Sequence, residues 1–325
     1  MIRLSAGITI LLVAALGLGE EAAAQSERVT GFSFLRLDPS ARSSAMAGSF
    51  GAIYDDDVNA YYYNPALLNE SMSGSVSLSY LNHLSDINAG FVSYARHLEG
   101  KGTVAAGVRF LSWGSFERAN EFGETDGTFS AGDVAVTLGA ARAYSERLRY
   151  GANAHLIYSS IDSYSASALA FDVGGTYVVT ESEFVASLVL SNAGVTLNSL
   201  GETRDELPVD LRLAVSKKLA HLPLLLSVTA YDLQNVGEPP NDASGIGAVF
   251  QYLTLAGELR FGPSFRIRIG YNHRKHEALK QKSRLDFAGV GVGTGIMIRK
   301  IRFDYSYASW SSLGGLNQLT IGTKL

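Results

Sequence analysis

Ile301-Arg302-Phe303-Asp304-Tyr305-Ser306-Tyr307-Ala308 places an apolar residue at every odd position and a polar or small one at every even position. Successive side chains of an extended chain point to opposite faces, so this stretch predicts a strand with one apolar and one polar face. Phe265, Ile267, Ile269 and Tyr271 repeat the pattern against Arg266, Arg268, Gly270 and Asn272, and Val209, Leu211, Leu213 and Val215 repeat it against Asp210, Arg212, Ala214 and Ser216. One face suits lipid. The other carries charge.

Working outward, the period stays at two from Gly74 to the end of the chain. Strands are expected at roughly 74–81, 88–98, 102–113, 129–143, 147–159, 167–180, 182–195, 207–219, 222–235, 247–261, 264–274, 284–298, 301–310 and 315–325, about fourteen in all. Many exceed the roughly 5–6 residues usual for soluble strands and approach the length of tilted membrane strands. A soluble sandwich also alternates, but it turns its polar face to bulk water.

The connections decide between the two. Those at 99–101, 144–146, 181, 220–221, 262–263 and 299–300 are short, and they alternate with 82–87, 114–128, 160–166, 196–206, 236–246, 275–283 and 311–314, most of them longer and polar. This is the pattern of an all-β transmembrane outer-membrane β-barrel of antiparallel strands, with short periplasmic turns and long loops at the cell surface. A closed wall also pairs every backbone group, as the bilayer requires. Residues 74–325 are the expected barrel. Tyr80, Phe91, Tyr94, Trp113, Tyr144, Tyr150, Tyr158, Tyr177, Tyr252, Tyr271 and Trp310 fall mostly toward strand ends, as interfacial girdles would.

Composition agrees. Beyond the first ~20 residues no apolar run approaches the ~20 needed for a membrane helix. The net charge is −4, with 27 basic and 31 acidic residues, so nucleic acid is not an expected partner. There is no cysteine, which suits an oxidising compartment. Residues 1–24 read as a signal peptide: Arg3, an apolar run from Ile8 to Leu18, and Ala22-Ala23-Ala24 before a cleavage point.

Residues 25–73 are not strand sequence. They are rich in small residues and turn-formers and read as a hatch-like N-terminal segment, with a short helix around Ser40 to Ala47. Asn64-Pro65-Ala66 suits either a rigid corner or a gating element, because Asn caps turns and Pro fixes φ. Asp55-Asp56-Asp57 suits a solvated turn, partners for lumen arginines, or part of a Ca²⁺ site, although such a site needs more ligands.

No catalytic set and no cofactor are expected. The six histidines are scattered, and His273-x-x-His276 at a strand end would place its rings on opposite faces. Two outer loops carry opposite charge: Arg274, Lys275, Lys280, Lys282 and Arg284 in one, Glu117, Glu121, Glu124 and Asp126 in the other. Each is a solvated face or a partner-binding loop, the basic one suited to lipopolysaccharide phosphates. Arg212, Arg266, Arg268 and Arg302 with Asp210, Asp286 and Asp304 are expected to cross-link the lumen, because buried charges demand partners.

Leu35-Arg36-Leu37-Asp38-Pro39-Ser40-Ala41-Arg42, Met46-Ala47-Gly48, Asp57-Val58-Asn59, Asn64-Pro65-Ala66-Leu67-Leu68, Phe129-Ser130-Ala131-Gly132-Asp133, Leu207-Pro208 and Val215-Ser216-Lys217-Lys218-Leu219 resemble the PorV/PorQ family, closest to its PorQ-type members, within the larger group of FadL-like barrels. Nearly all of the chain after residue 24 is covered. Leu325 departs from the Phe that often ends such barrels. The resemblance implies a fourteen-stranded barrel whose hatch carries Asn64-Pro65-Ala66. It also implies a non-enzymatic role in the attachment complex of type IX secretion, which anchors exported cargo at the surface beside PorU-, PorV- and PorZ-like partners. The alternative is a FadL-like transporter of hydrophobic small molecules. Outer-membrane lipid and lipopolysaccharide are expected neighbours in both cases.

Overall fold

The computed structural model of the protein describes residues 31–119, 124–201, 204–237, 245–280, 286–310 and 314–325. Fourteen antiparallel strands close into one barrel: β1 Ser75–Asn82, β2 Asn88–Leu98, β3 Gly102–Ala119, β4 Thr125–Ala143, β5 Leu148–Ile161, β6 Tyr164–Val179, β7 Phe184–Asn198, β8 Asp210–Lys218, β9 Leu224–Ala230, β10 Leu253–Phe261, β11 Phe265–Asn272, β12 Val290–Ile298, β13 Ile301–Ser309 and β14 Gly315–Lys324. Each strand pairs with its sequence neighbours, and β1 closes the ring on β14 from Ser75↔Lys324 to Asn82↔Asn317. At that seam the Leu325 N–H donates to the Gly74 carbonyl at 2.9 Å. Both ends of the wall therefore lie on the short-turn side.

All fourteen expected strands are present, and their boundaries shift mainly at the other end. The expected loop 114–128 is largely strand, because β3 runs to Ala119 and β4 starts at Thr125. Phe116 stacks on Phe129 there, with ring centroids 5.3 Å apart. Backbone pairing needs no apolar side chains, so polar sequence does not end a hairpin that projects beyond lipid. The expected loop 160–166 contracts to a tight turn at Asp162, whose φ is +55°. In contrast, the expected strand at 222–235 ends at Ala230, and that at 284–298 begins only at Val290. Two short helices appear on this side: α2 Ile246–Phe250, mostly in sequence read as strand, and α3 His273–Leu279, mostly in the expected loop 275–283. Of the connections on this side, 199–209, 231–252 and 273–289 are the long ones. The wall is consequently tall along β3–β7, with strands of 18, 19, 14, 16 and 15 residues, and low along β8–β13, with 9, 7, 9, 8, 9 and 9.

The apolar face of every strand points outward. Leu78, Val108, Leu138, Leu156, Val173, Leu188, Leu226, Ile269, Val292, Phe303 and Leu319 are exposed, whereas Ser79, Thr137, Asn153, Thr176, Ser216, Arg268 and Asp304 between them are buried. This is an inside-out pattern, and its outer surface is the lipid contact of an integral outer-membrane barrel. Leu156 lies midway along β5 and is 62% exposed. Leu156→Arg is expected to destabilise the barrel in a bilayer by about 2–4 kcal/mol, read by denaturant titration in liposomes. A change below ~1 kcal/mol would place that position outside the membrane core.

The girdle reading is corrected in part. Tyr80, Tyr94, Tyr144, Tyr150, Tyr158 and Tyr177 face outward, but Phe91 and Tyr252 are buried, and Trp113 and Trp310 pack against an interior cluster. These four sit at inward register positions or in a connection, and residue type alone does not reveal that.

Residues 31–73 pack inside the barrel as a plug. Its elements are 3₁₀ turns at Ser33–Arg36, Val58–Tyr62, Pro65–Leu67 and Glu70–Met72 and the helix α1 Ala41–Ala45. Ser40 caps α1 in a reciprocal box with Ser43, and Asp57, Asn64 and Asn69 cap the three later turns through side-chain oxygens. Caps close each turn locally, so the segment satisfies its own backbone and docks as a compact body. Met46, Phe50, Ile53, Tyr61, Leu67, Leu68 and Met72 form its apolar centre with Ala95, Ala105, Ala141, Leu225 and Ala256 of the wall.

Candidate functional site

The plug is seated on opposite walls of the barrel by glycines. Asn64, Pro65 and Ala66 meet β5 and β6, where Gly151 and Gly174 are register partners. A Cβ on Gly151 would lie 2.6 Å from the Pro65 carbonyl carbon, and one on Gly174 would collide with Asn64 Oδ1. Asn64 Nδ2 donates to the Gly51 carbonyl at 3.0 Å and to Thr176 Oγ1 at 2.8 Å, while its Oδ1 accepts from the Ala66 N–H at 2.9 Å. Across the bore, α1 rests on Gly270 and Gly291, again register partners, and on Gly293. A Cβ on Gly291 would lie 2.5 Å from the Ser44 carbonyl oxygen. Glycine is required at both seats for close approach of two backbones. Gly174, Gly291 and Gly293 thus serve docking, whereas a Cβ on Gly175 would meet open space.

Between the seats lies a largely buried cluster of four guanidinium and four carboxylate groups, with the expected lumen charge Arg266 beside it. Arg42 of α1 is fully buried; its Nε and Nη2 reach Glu258 at 2.8 and 3.0 Å, its Nη2 reaches Asp55 at 2.7 Å, and its Nη1 reaches Asp57 at 3.3 Å. Arg268 bridges Glu258 at 2.7 Å and Asp304 at 2.5 Å, and Arg260 lies 2.7 Å from Glu258. Arg302 Nη2 lies 2.9 Å from Asp57, and its Nε is 2.9 Å from Asp304 without hydrogen-bond alignment. Burial works to raise the Asp55 carboxyl, but Arg42 and Arg260 hold it well below the usual range. Burial likewise opposes, and Arg302 and Arg42 outweigh it, at Asp57. The contribution of these two groups to plug docking is therefore complete above ordinary carboxylate pKa values and is lost only as pH falls below them.

Two of the three consecutive aspartates thus serve as partners of lumen arginines, while Asp56 stays exposed. Of the expected lumen charges, Arg268, Arg302 and Asp304 meet here. Asp210 and Arg212 pair separately at 2.6 Å, with Arg212 over the Tyr63 ring. Asp286 belongs to the connection after α3, where it accepts from the Ala288 N–H at 2.8 Å. Sequence reasoning missed Arg42, Glu258 and Arg260 as members. A signal existed for Glu258, an acid at the polar position of a strand whose other face is Leu255, Leu259 and Phe261. None existed for Arg42, in a segment without period.

The plug is bonded to strands all around the ring. Asn59 bridges Ser77 of β1 and Ser93 of β2, and Ser49 meets Ser227 of β9 at 3.0 Å. Ser216 of β8 donates to the Ala52 carbonyl at 2.7 Å, and Thr320 of β14 accepts from the Ala41 N–H at 2.8 Å. Midway up the wall, His155 links Thr137 and Asp172 at 2.8 Å each, and Asn153 donates to Asp172 at 2.9 Å and to the Tyr61 carbonyl at 2.9 Å. This line of polar residues was invisible in the chain because adjacent strands assemble it.

Above the plug, toward the long-loop end, the lumen changes character. Leu81, Ala89, Phe91, Leu111, Ala135, Ile157, Ala166, Ala168, Ala170 and Leu316 make an apolar wall. Phe32, Phe34 and Leu35, the start of the described chain, pack into it. Trp113 and Trp310 border it.

The candidate loop residues separate. Lys275 and Lys280 lie on α3, with Lys280 paired to Glu277 at 2.6 Å; Glu117 is an exposed residue of β3, and Glu124 precedes β4. Lys282, Arg284 and Glu121 lie outside the described residues, as do residues 1–24. His273 and His276 lie on α3 rather than on a strand, and their rings stack at 6.3 Å. The two rings therefore share one face rather than the opposite faces expected of a strand, since a helix places i and i+3 together. Among the described residues no third His, Cys, Asp or Glu completes a metal-binding group with them.

No protein-family description matches the sequence, and no curated protein does either. Solved structures do. The toluene transporter TodX of Pseudomonas putida aligns at 12% identity over 88% of this chain and 98% of its own, with a TM-score of 0.58. The Ralstonia pickettii toluene transporter TbuX aligns at 15% identity over 89% and 99%, with a TM-score of 0.57. A Pseudomonas aeruginosa FadL homologue aligns at 10% identity over 88% and 98%, with a TM-score of 0.53. The shared property is the fold: a FadL-type outer-membrane barrel.

Proposed function

We propose that this barrel admits hydrophobic small molecules across the outer membrane, with its long loops at the cell surface and its plug controlling passage. The observation that carries this reading is the change of lining along the bore. Toward the long loops the lumen is lined by an apolar cluster into which Phe32, Phe34 and Leu35 pack, and a polar, ion-paired plug lies beneath it. Hydrophobic ligands are taken by linings that are mostly apolar with few polar groups, and displacement of the Phe32–Leu35 segment would expose one here. The toluene transporters of the same fold point to the substrate class. Uptake of labelled toluene by cells lacking their own transporter should rise on expression. Phe32→Asp with Phe34→Asp should lower that uptake several-fold, because an unpaired carboxylate in an apolar site costs several kcal/mol. Uptake equal to that of empty cells, with the barrel correctly folded, would sink the proposal.

The second reading is a scaffold in type IX secretion. It is supported by the sequence resemblance and by a plug bonded to strands all around the ring, which suits a wall that conducts nothing. Its partners would dock on the long-loop end, where Glu117, Lys275 and Lys280 lie. Purification from native membranes that recovers a sortase-like protein and a large surface protein would favour it over transport.

A further inference from the structure

We propose that α2 and its neighbours enter the lipid leaflet at the long-loop end, and that acyl chains cover their apolar face. β9 has 7 residues and β11 has 8. At ~3.3 Å per residue and a tilt near ~40°, such strands rise roughly 15–20 Å, against an apolar membrane band about 25 Å tall. β5, with 14 residues, rises roughly 33 Å by the same rule. On its low side the wall is too short for the bilayer, and mismatch carries a cost for each ångström.

The missing height is where α2 lies. The helix directly precedes β10, in the connection from β9. Ile246, Val249 and Phe250 occupy positions i, i+3 and i+4, one helical face, and are 78%, 59% and 39% exposed. Phe287 and Val236, in the two connections of the same side, are 63% and 54% exposed. The helix is held in place from behind. Gln251 and Tyr252 at its end are buried, and the Tyr252 hydroxyl donates to the Asn235 carbonyl at 2.7 Å. The Phe250 ring meets His273 at 6.0 Å, which ties α2 to α3.

A fixed, exposed apolar patch marks an interaction surface. Continuity identifies the occupant. Leu255, only five residues beyond Phe250, faces outward beside its register partners Val228 and Tyr271, within the row that meets lipid. The α2 face extends that row upward. Lys275 on α3 is exposed and marks the headgroup level, where long cationic side chains reach water. This inference needs only that the barrel spans a bilayer, so it stands or falls independently of transport.

The chain has no cysteine, so single reporters can be introduced cleanly. Spin labels at Val249→Cys, at Ile269→Cys on the wall and at Lys275→Cys would be compared in outer-membrane-lipid vesicles, using oxygen and a water-soluble nickel chelate as relaxants. The Val249 label should match Ile269, with oxygen contact several-fold above chelate contact. A Val249 label that matches Lys275, or one shielded from both relaxants by a protein contact, would overturn the proposal. Ile246→Asp with Val249→Asp should lower the melting temperature in vesicles but leave it unchanged in detergent micelles, which adapt to wall height. An equal drop in both would mean a merely structural role and would also overturn it.

Discussion

Replacing Arg42 with Met is expected to turn the reconstituted barrel from a closed into an ion-conducting one. Arg42 alone contacts Glu258 on the wall and both Asp55 and Asp57 in the plug, with no exposed surface of its own. Its loss strands carboxylates that have been removed from water. Breaking a buried network by deleting one partner costs about 3–5 kcal/mol, much of it the penalty on the charges left behind. At about 1.4 kcal/mol per tenfold, the docked fraction of the plug relative to the undocked one should fall by roughly 10²–10⁴. Two measurements check this. Planar-bilayer recordings should show conductance absent from the unmodified protein, and protease added on the short-turn side should cleave within residues 31–73. If the variant stays non-conducting and protected, the charge cluster is not what holds the plug. The double change Arg42→Met with Glu258→Gln should recover part of the loss, because it removes charge from both sides.

Gly174→Val and Gly291→Val are expected to release the plug through sterics, at one wall each. Overpacking normally costs about 1–3 kcal/mol because side chains can yield. Here the atoms in the way are Asn64 Oδ1, itself held by Thr176 and the Gly51 carbonyl, and the backbone oxygens of Ser44 and Ala45. Backbone yields less than side chain, so the cost should reach or exceed the upper end. Gly175→Val is the internal control. It neighbours Gly174, yet its Cβ direction is open. The expected order is protease sensitivity for Gly174→Val and Gly291→Val, and none for Gly175→Val. Equal behaviour of all three would show that strand strain, rather than the seats, explains any effect.

The strand sequences disclosed the barrel and its orientation of faces for a local reason. Alternation of Phe265, Ile267 and Ile269 against Arg266 and Arg268 requires only the pleat of one strand, and a lipid-facing row follows from it directly. Short turns such as 299–300 were equally local. Boundaries on the long-loop side were less legible. There, polar residues such as Glu117 extend a hairpin, while His273 to Leu279 coil into a helix capped by Asn272. Beyond the bilayer, neither choice is driven by burial, so period ceases to report on structure.

The site was legible only in part. Asn64-Pro65-Ala66 announced a capped corner, and the corner exists with Asn64 as its cap. That it would sit on Gly151 and Gly174 could not be read, because those glycines look like any flexible wall positions. Arg42 and Glu258 stand 216 residues apart and meet only after the ring has closed and the plug has entered it. Strand period, strand number, the direction of each face and the non-strand character of residues 31–73 were thus properties of the sequence itself, since each depends on residues within one turn or one strand. Which charges neutralise one another, which glycines form seats and where the lumen becomes apolar were decided by tertiary structure alone. Those contacts run across the bore, and closure of the barrel sets their distances.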